Sequence, residues 1–105
     1  MKTLRINDKD LPVAFTRNFL RILEIKYDIV ISNLKSLLTL KPFDTMAALC
    51  HTGLQEGARV NNQYFDMTIE EVNDAWDKDE TLMEKFMSLM NDSDLLKNKK
   101  QEAKN

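Results

Sequence analysis

The sequence predicts a mainly α fold: one small domain of about four to five helices carrying a short N-terminal β-hairpin. Three observations lead there. After Thr16, apolar residues recur three or four apart over most of the chain, the period of a helix. Before it the pattern is different, with KTLRI and LPVAF on either side of the polar cluster NDKD, as in a hairpin closed by a turn. Finally, 105 residues with 43% hydrophobic content, two glycines and two prolines suit one packed core without room for a second. The expected domain spans 1–91, with the hairpin at 2–15 and helices thereafter. A flexible polar tail is expected over 92–105, where only Leu95, Leu96 and Ala103 offer apolar anchors.

Each element has a local reason. Pro12 lacks an amide donor, so a strand holding it lies at an edge or begins there. Thr16 is an N-cap candidate, and Phe19, Leu20, Ile22, Leu23, Lys26 and Tyr27 then mark an amphipathic helix to about Asp28. The segment IVISNLKSLLTLKP opens with β-branched residues and closes with leucines; a helix over roughly Ser32 to Thr39 is the favoured reading. Asp44 is the expected N-cap of a third helix, with Met46, Leu49, Cys50 and Leu54 on its apolar face. Gly57 is expected to close that helix in a left-handed conformation near Gly57 to Val60. Gly53, which costs roughly 1 kcal/mol relative to alanine inside a helix, is expected to let a neighbour approach closely. Thr68 and Glu71 have capping-box spacing, and Ile69, Val72 and Trp76 form the stripe of the helix that follows. After DKDE, the residues Leu82, Met83, Phe86, Met87 and Met90 form the last helix.

Composition excludes several functional classes. Fifteen basic against seventeen acidic residues give a formal net charge of -2, which does not attract a phosphate backbone, so no nucleic-acid partner is expected. The most apolar run, Ile29 to Leu40, is too short for a membrane span and is interrupted by polar residues. A single cysteine cannot form an internal disulfide, and MKTLRINDKD carries charges where a secretory signal needs an apolar stretch. A reducing cytosol is the expected compartment.

The chain's only cysteine, Cys50, adjoins its only histidine, His51. Consecutive helical positions point about 100° apart, so thiol and imidazole diverge and do not form a nucleophile and base. Cys50 is expected in the core and His51 at the boundary or surface, titrating near its ordinary value. Metal ligation by His51 would need partners that the sequence lacks. The acids of DKDE are too few, and without glycine, for a calcium loop. No phosphate-binding loop or catalytic triad is present. No catalytic residue, cofactor or metal site is expected, and the reading is of a binding or structural module.

Six methionines are many for this length, and Met67, Met83, Met87 and Met90 fall in the last 40 residues. Methionine adapts its shape to variable partners but serves equally as core filler. The first use would place a partner groove on Met83, Phe86, Met87 and Met90, with Phe65 and Trp76 as aromatic anchors; the second would bury them, Trp76 included.

The opening LRINDKDLPVAFTRNFLRILEIKY resembles the start of the tail assembly chaperones of long-tailed bacteriophages, where a short hairpin enclosing a polar turn leads into a helix of the form F-T-x-x-F-L. The stretch AALCHTGLQEGARVNNQYFDMTIEEVNDAWDKD is similar to the second half of that family, with its glycine-ended helix, loop, T-x-E-E helix start and acidic turn. The resemblance covers about residues 1 to 90 and carries no catalytic signature. It implies a non-enzymatic, mainly helical viral protein acting in the bacterial host cytoplasm and absent from the finished virion. Its implied partner is the tape measure protein, with the tail tube protein as a further candidate, and at most weak self-association. It also implies a longer form made by ribosomal frameshifting, for which Leu96-Lys97-Asn98 permits a slippery codon run. The rivals are a self-associating structural protein, such as a head-to-tail connector subunit, and a regulator that sequesters a host factor.

Overall fold

A computed structural model describes residues 1–94, and in it five helices pack with an N-terminal antiparallel two-stranded hairpin, as the sequence predicts. Most of the expected tail, including Leu96-Lys97-Asn98, lies outside the described residues.

Strands β1 (Lys2–Ile6) and β2 (Lys9–Val13) pair with Ile6 opposite Lys9, so the turn between them has two residues. Asn7 and Asp8 both take positive φ, 51° and 65°. That combination matches the twist of a hairpin, and Asn and Asp tolerate it better than other residues with a side chain. The turn is therefore tighter than NDKD as a whole, and Asp10 lies within β2, 3.0 Å from Arg5 across the ladder. Leu4 and Ile6 are buried while Thr3 and Arg5 are exposed, the two-residue alternation of a half-buried strand. The strands end at Val13, two residues short of the expected limit.

Helix α1 (Arg17–Tyr27) starts where Thr16 accepts a hydrogen bond from the Phe19 amide. It ends at Asp28, whose left-handed conformation lets its own amide and that of Ile29 reach the Leu23 carbonyl. A 3-10 turn, Ile31–Asn33, leads into α2 (Leu34–Leu40). Of the β-branched start only Ile31 enters the turn, and the leucines make the helix, which begins at Leu34 and not at the expected Ser32.

Helix α3 (Pro42–Val60) is the centre of the fold, buried on every side from Thr45 to Leu54 and packed against β2, α1, α2, α4 and α5. Two expectations are corrected here. Asp44 is not the N-cap: the helix begins at Pro42, whose missing amide costs nothing in the first turn, and Asp44 sits in that turn near the positive end of the dipole. Gly57 does not close the helix either, since no glycine has positive φ and the left-handed residue is Asn62, at 55°. Gly57 serves proximity instead. A Cβ there would lie 2.1 Å from the Pro12 carbonyl oxygen, so β2 crosses α3 backbone to backbone. At Gly53 a Cβ would meet Phe86 and Val13, each at 3.0 Å, and the Gly53 carbonyl accepts the Ala14 amide at 3.1 Å. Close approach is thus the role of both glycines.

Thr68 and Glu71 complete the capping box that opens α4 (Ile69–Lys78), which buries Val72 and Ala75. Asp79 then accepts from the Thr81 amide at 3.0 Å, turning the chain into α5 (Leu82–Asn91). Ser93 is buried, its hydroxyl donating to the Met90 carbonyl at 2.7 Å, so the chain past α5 begins packed rather than loose.

Candidate functional site

The chemistry-bearing pair of α3 is separated by its surroundings. Cys50 is fully buried at the centre of the core, and burial pushes its thiol up to about 12. His51 faces the loop before α4, where Nε2–H donates to the Met67 carbonyl at 2.8 Å and the ring meets Phe65 edge-on at 5.3 Å. Its Nδ1 has no partner, so neither nitrogen bonds the thiol. His51, expected at the boundary or surface with an ordinary pKa, is 8% exposed, and burial, the largest influence, holds its pKa below the ordinary 6.5. The Met67 hydrogen bond opposes that shift.

The residues expected to form one partner groove are divided. Met83, Phe86 and Met90 are 5%, 0% and 1% exposed, so they are core, and the groove expected on them is not a surface of this fold. Phe86 packs against Phe15 with centroids 5.6 Å apart and over Gly53, so its face meets the segment after β2 and helix α3. Met87 is only partly buried, Phe65 covers His51, and Trp76 belongs to a different surface. Methionine as filler is what Met83 and Met90 show.

The surface around Trp76 is an open cleft of aromatic and acidic side chains. Phe43, in the first turn of α3, lies with its ring centroid 5.8 Å from that of Trp76 on α4, tilted by 46°. Phe43 is 73% exposed, and Leu40, three residues before it, is 77% exposed. The two rings, with Asn73 and the carboxylates of Asp44, Asp77 and Glu80, line a cleft of about 530 Å³. A single exposed apolar side chain is ordinary; an exposed phenylalanine packed on a tryptophan in the wall of a cleft is the kind of patch that meets a partner. In sequence Phe43 reads only as the residue after a proline, and nothing in its spacing brings it to Trp76.

Glu56 went unnoticed in the sequence and is the most strongly held polar group described. It is 1% exposed. It accepts from Thr16 Oγ at 2.6 Å, Asn18 Nδ2 at 3.0 Å and Arg59 Nε at 2.9 Å, with Arg59 Nη2 as a further donor. The Arg59 hydrogen bond lowers its pKa most, burial opposes this, Thr16 and Asn18 add to the lowering, and the result is about 2. Arg59, three residues on, was the visible signal; Thr16 and Asn18, some 40 positions away, were not. The group is structural, clamping the start of α1 to α3.

Among the described residues, no group of three or more His, Cys, Asp or Glu is placed to hold a metal ion, and no helix is long and apolar enough to cross a membrane. The fold and its surface define a small mainly helical domain with an N-terminal hairpin and one acidic, aromatic cleft. No protein-family model, curated protein or solved structure matches the chain.

Proposed function

We propose that this protein is a non-enzymatic tail assembly chaperone of a long-tailed bacteriophage. It binds the tape measure protein, with the tail tube protein as a further candidate, and keeps that helical client soluble in the host cytoplasm while the tail assembles. The observation that carries the reading is the order of elements. A hairpin with a two-residue polar turn runs into the Phe15-Thr16-x-x-Phe19-Leu20 helix start, and a capping-box helix and a final helix close the domain. Within the first motif Thr16 caps α1 while Phe15 packs edge-on to Phe19 at 5.3 Å, so those residue types have a local physical use. The exposed Phe43 beside Trp76 supplies an apolar surface for a client helix.

A self-associating connector subunit is the second reading. It is favoured by a further set of exposed apolar side chains, Ile25 and Tyr64, at 67% and 89%. A ring needs two complementary surfaces on each copy. Co-expression with the long helix-rich protein encoded just downstream separates the two. Under the chaperone reading the client is soluble only in the presence of this protein and co-purifies with it. A client indifferent to this protein, with the protein alone eluting as a defined ring, sinks that reading and supports the connector.

A further inference from the structure

We infer that the Phe43–Trp76 cleft receives an amphipathic helix of another protein whose apolar stripe is flanked by lysine or arginine. This rests on the chaperone reading and names the chemistry of the client segment it would hold.

The argument starts from what lines the cleft. Its floor is a pair of aromatic rings in contact, centroids 5.8 Å apart, with Phe43 largely exposed, so an apolar side chain laid against them would remove ring surface from water. Its rim is Asp44, Asp77 and Glu80, and among the described residues no basic side chain lines it. The nearest opposing charge of the backbone is the start of α3, worth about half a positive charge, which three carboxylates exceed. An uncharged apolar helix laid here would strip water from those carboxylates without compensation. A helix with cations beside its apolar stripe would pair them.

The same charges weigh against other occupants. Nucleic acid is repelled by the rim. A second copy docking by two-fold symmetry would bring the same face to itself, setting six carboxylates around one contact. Helix-in-groove recognition by another chain remains, read by apolar anchors one turn apart.

Trp76 is the only tryptophan, so its emission reports on the cleft without a label. The probe is a tryptophan-free helical peptide of leucine and lysine, about 18 residues or five turns long, with a leucine and glutamate peptide of the same pattern as control. The expected result is a saturable shift of Trp76 emission to shorter wavelength with the lysine peptide and none with the glutamate peptide. Phe43→Ser should weaken binding about tenfold or more. The triple variant Asp44→Asn, Asp77→Asn, Glu80→Gln should weaken it about fivefold and flatten its dependence on salt. Both sites are surface positions, and circular dichroism checks that each variant is folded. Equal response to the two peptides, or full binding by Phe43→Ser, overturns the assignment. So does self-association that Phe43→Ser abolishes in the absence of peptide binding.

Pull-down of the tape measure protein keeps the two claims apart. A client captured equally by wild type and Phe43→Ser removes the cleft from the account and leaves the chaperone reading standing. A lysine peptide bound at the cleft with no client captured by either form does the reverse.

Discussion

Gly53 and Gly57 lie one turn apart on α3, and the same substitution should give different results at each. Alanine gains about 1 kcal/mol over glycine inside a helix. At Gly57 that gain is overwhelmed, because the new Cβ would sit 2.1 Å from the Pro12 oxygen, a backbone atom that moves only if β2 moves. Gly57→Ala is expected to destabilise by about 3 kcal/mol. At Gly53 the obstructing atoms are side chains at 3.0 Å that yield by small rotations, and Gly53→Ala should stay within about 1 kcal/mol of wild type. Urea unfolding of both variants measures this, and equal losses would contradict the seating of β2 on α3. Glu56 makes the second prediction at this scale. Its pKa falls from 4.5 to about 2 on folding, so it contributes about 3 kcal/mol that is fully present above 4.5 and is lost as the pH falls through 2. Comparing wild type with Glu56→Gln across that window isolates the group from the other carboxylates. The difference in stability should shrink steadily toward low pH; a constant difference would show that the carboxylate is not held as described.

Among the elements, the hairpin is the one whose turn chemistry leaves room for improvement. Asp8 occupies φ 65°, which glycine adopts without a Cβ penalty. Asn-Gly is also the preferred pair for this turn. Asp8→Gly should therefore stabilise the protein by about 0.5 kcal/mol, the strain relieved being partly offset by the greater entropy of the unfolded chain. A rise in the urea midpoint checks it, and a fall would mean that the turn is not of the two-residue type. The helices were the more legible elements because their signals are local: Thr16, Thr68 and Glu71 act on amides three residues away. Gly57 misled for the same reason, since local propensity makes it a helix end while its use is a contact with Pro12, 45 positions earlier.

At the scale of the whole molecule, α3 is a helix with no solvent face along its middle, and its side chains report on global opening. Cys50 is fully buried and its thiol stays protonated, so reaction with a thiol reagent is expected to be negligible in the native state. The rate should rise with urea in step with global unfolding, as for the most protected part of a core. Reaction in native buffer at the rate of a free thiol would mean that α3 is not central. The candidate surface also belongs to this scale. Phe43 and Trp76 are 33 positions apart and meet because α3 and α4 pack side by side. The partner face anticipated on α5 is absent because the hairpin and the segment after it already cover that helix: Phe86 lies on Phe15, and Lys2 donates to the Leu89 carbonyl at 3.1 Å.

By itself the sequence determined the fold class, the hairpin, the caps of α1 and α4 and the burial of Cys50, since each follows from periodicity or from hydrogen bonds within a few residues. Only the tertiary structure decided which apolar faces stay open, because a methionine stripe and an exposed groove have the same period. What distinguishes them is whether another element lies on top. The burial of His51, the clamp at Glu56 and the meeting of Phe43 with Trp76 were decided in the same way, by contacts between elements distant in the chain.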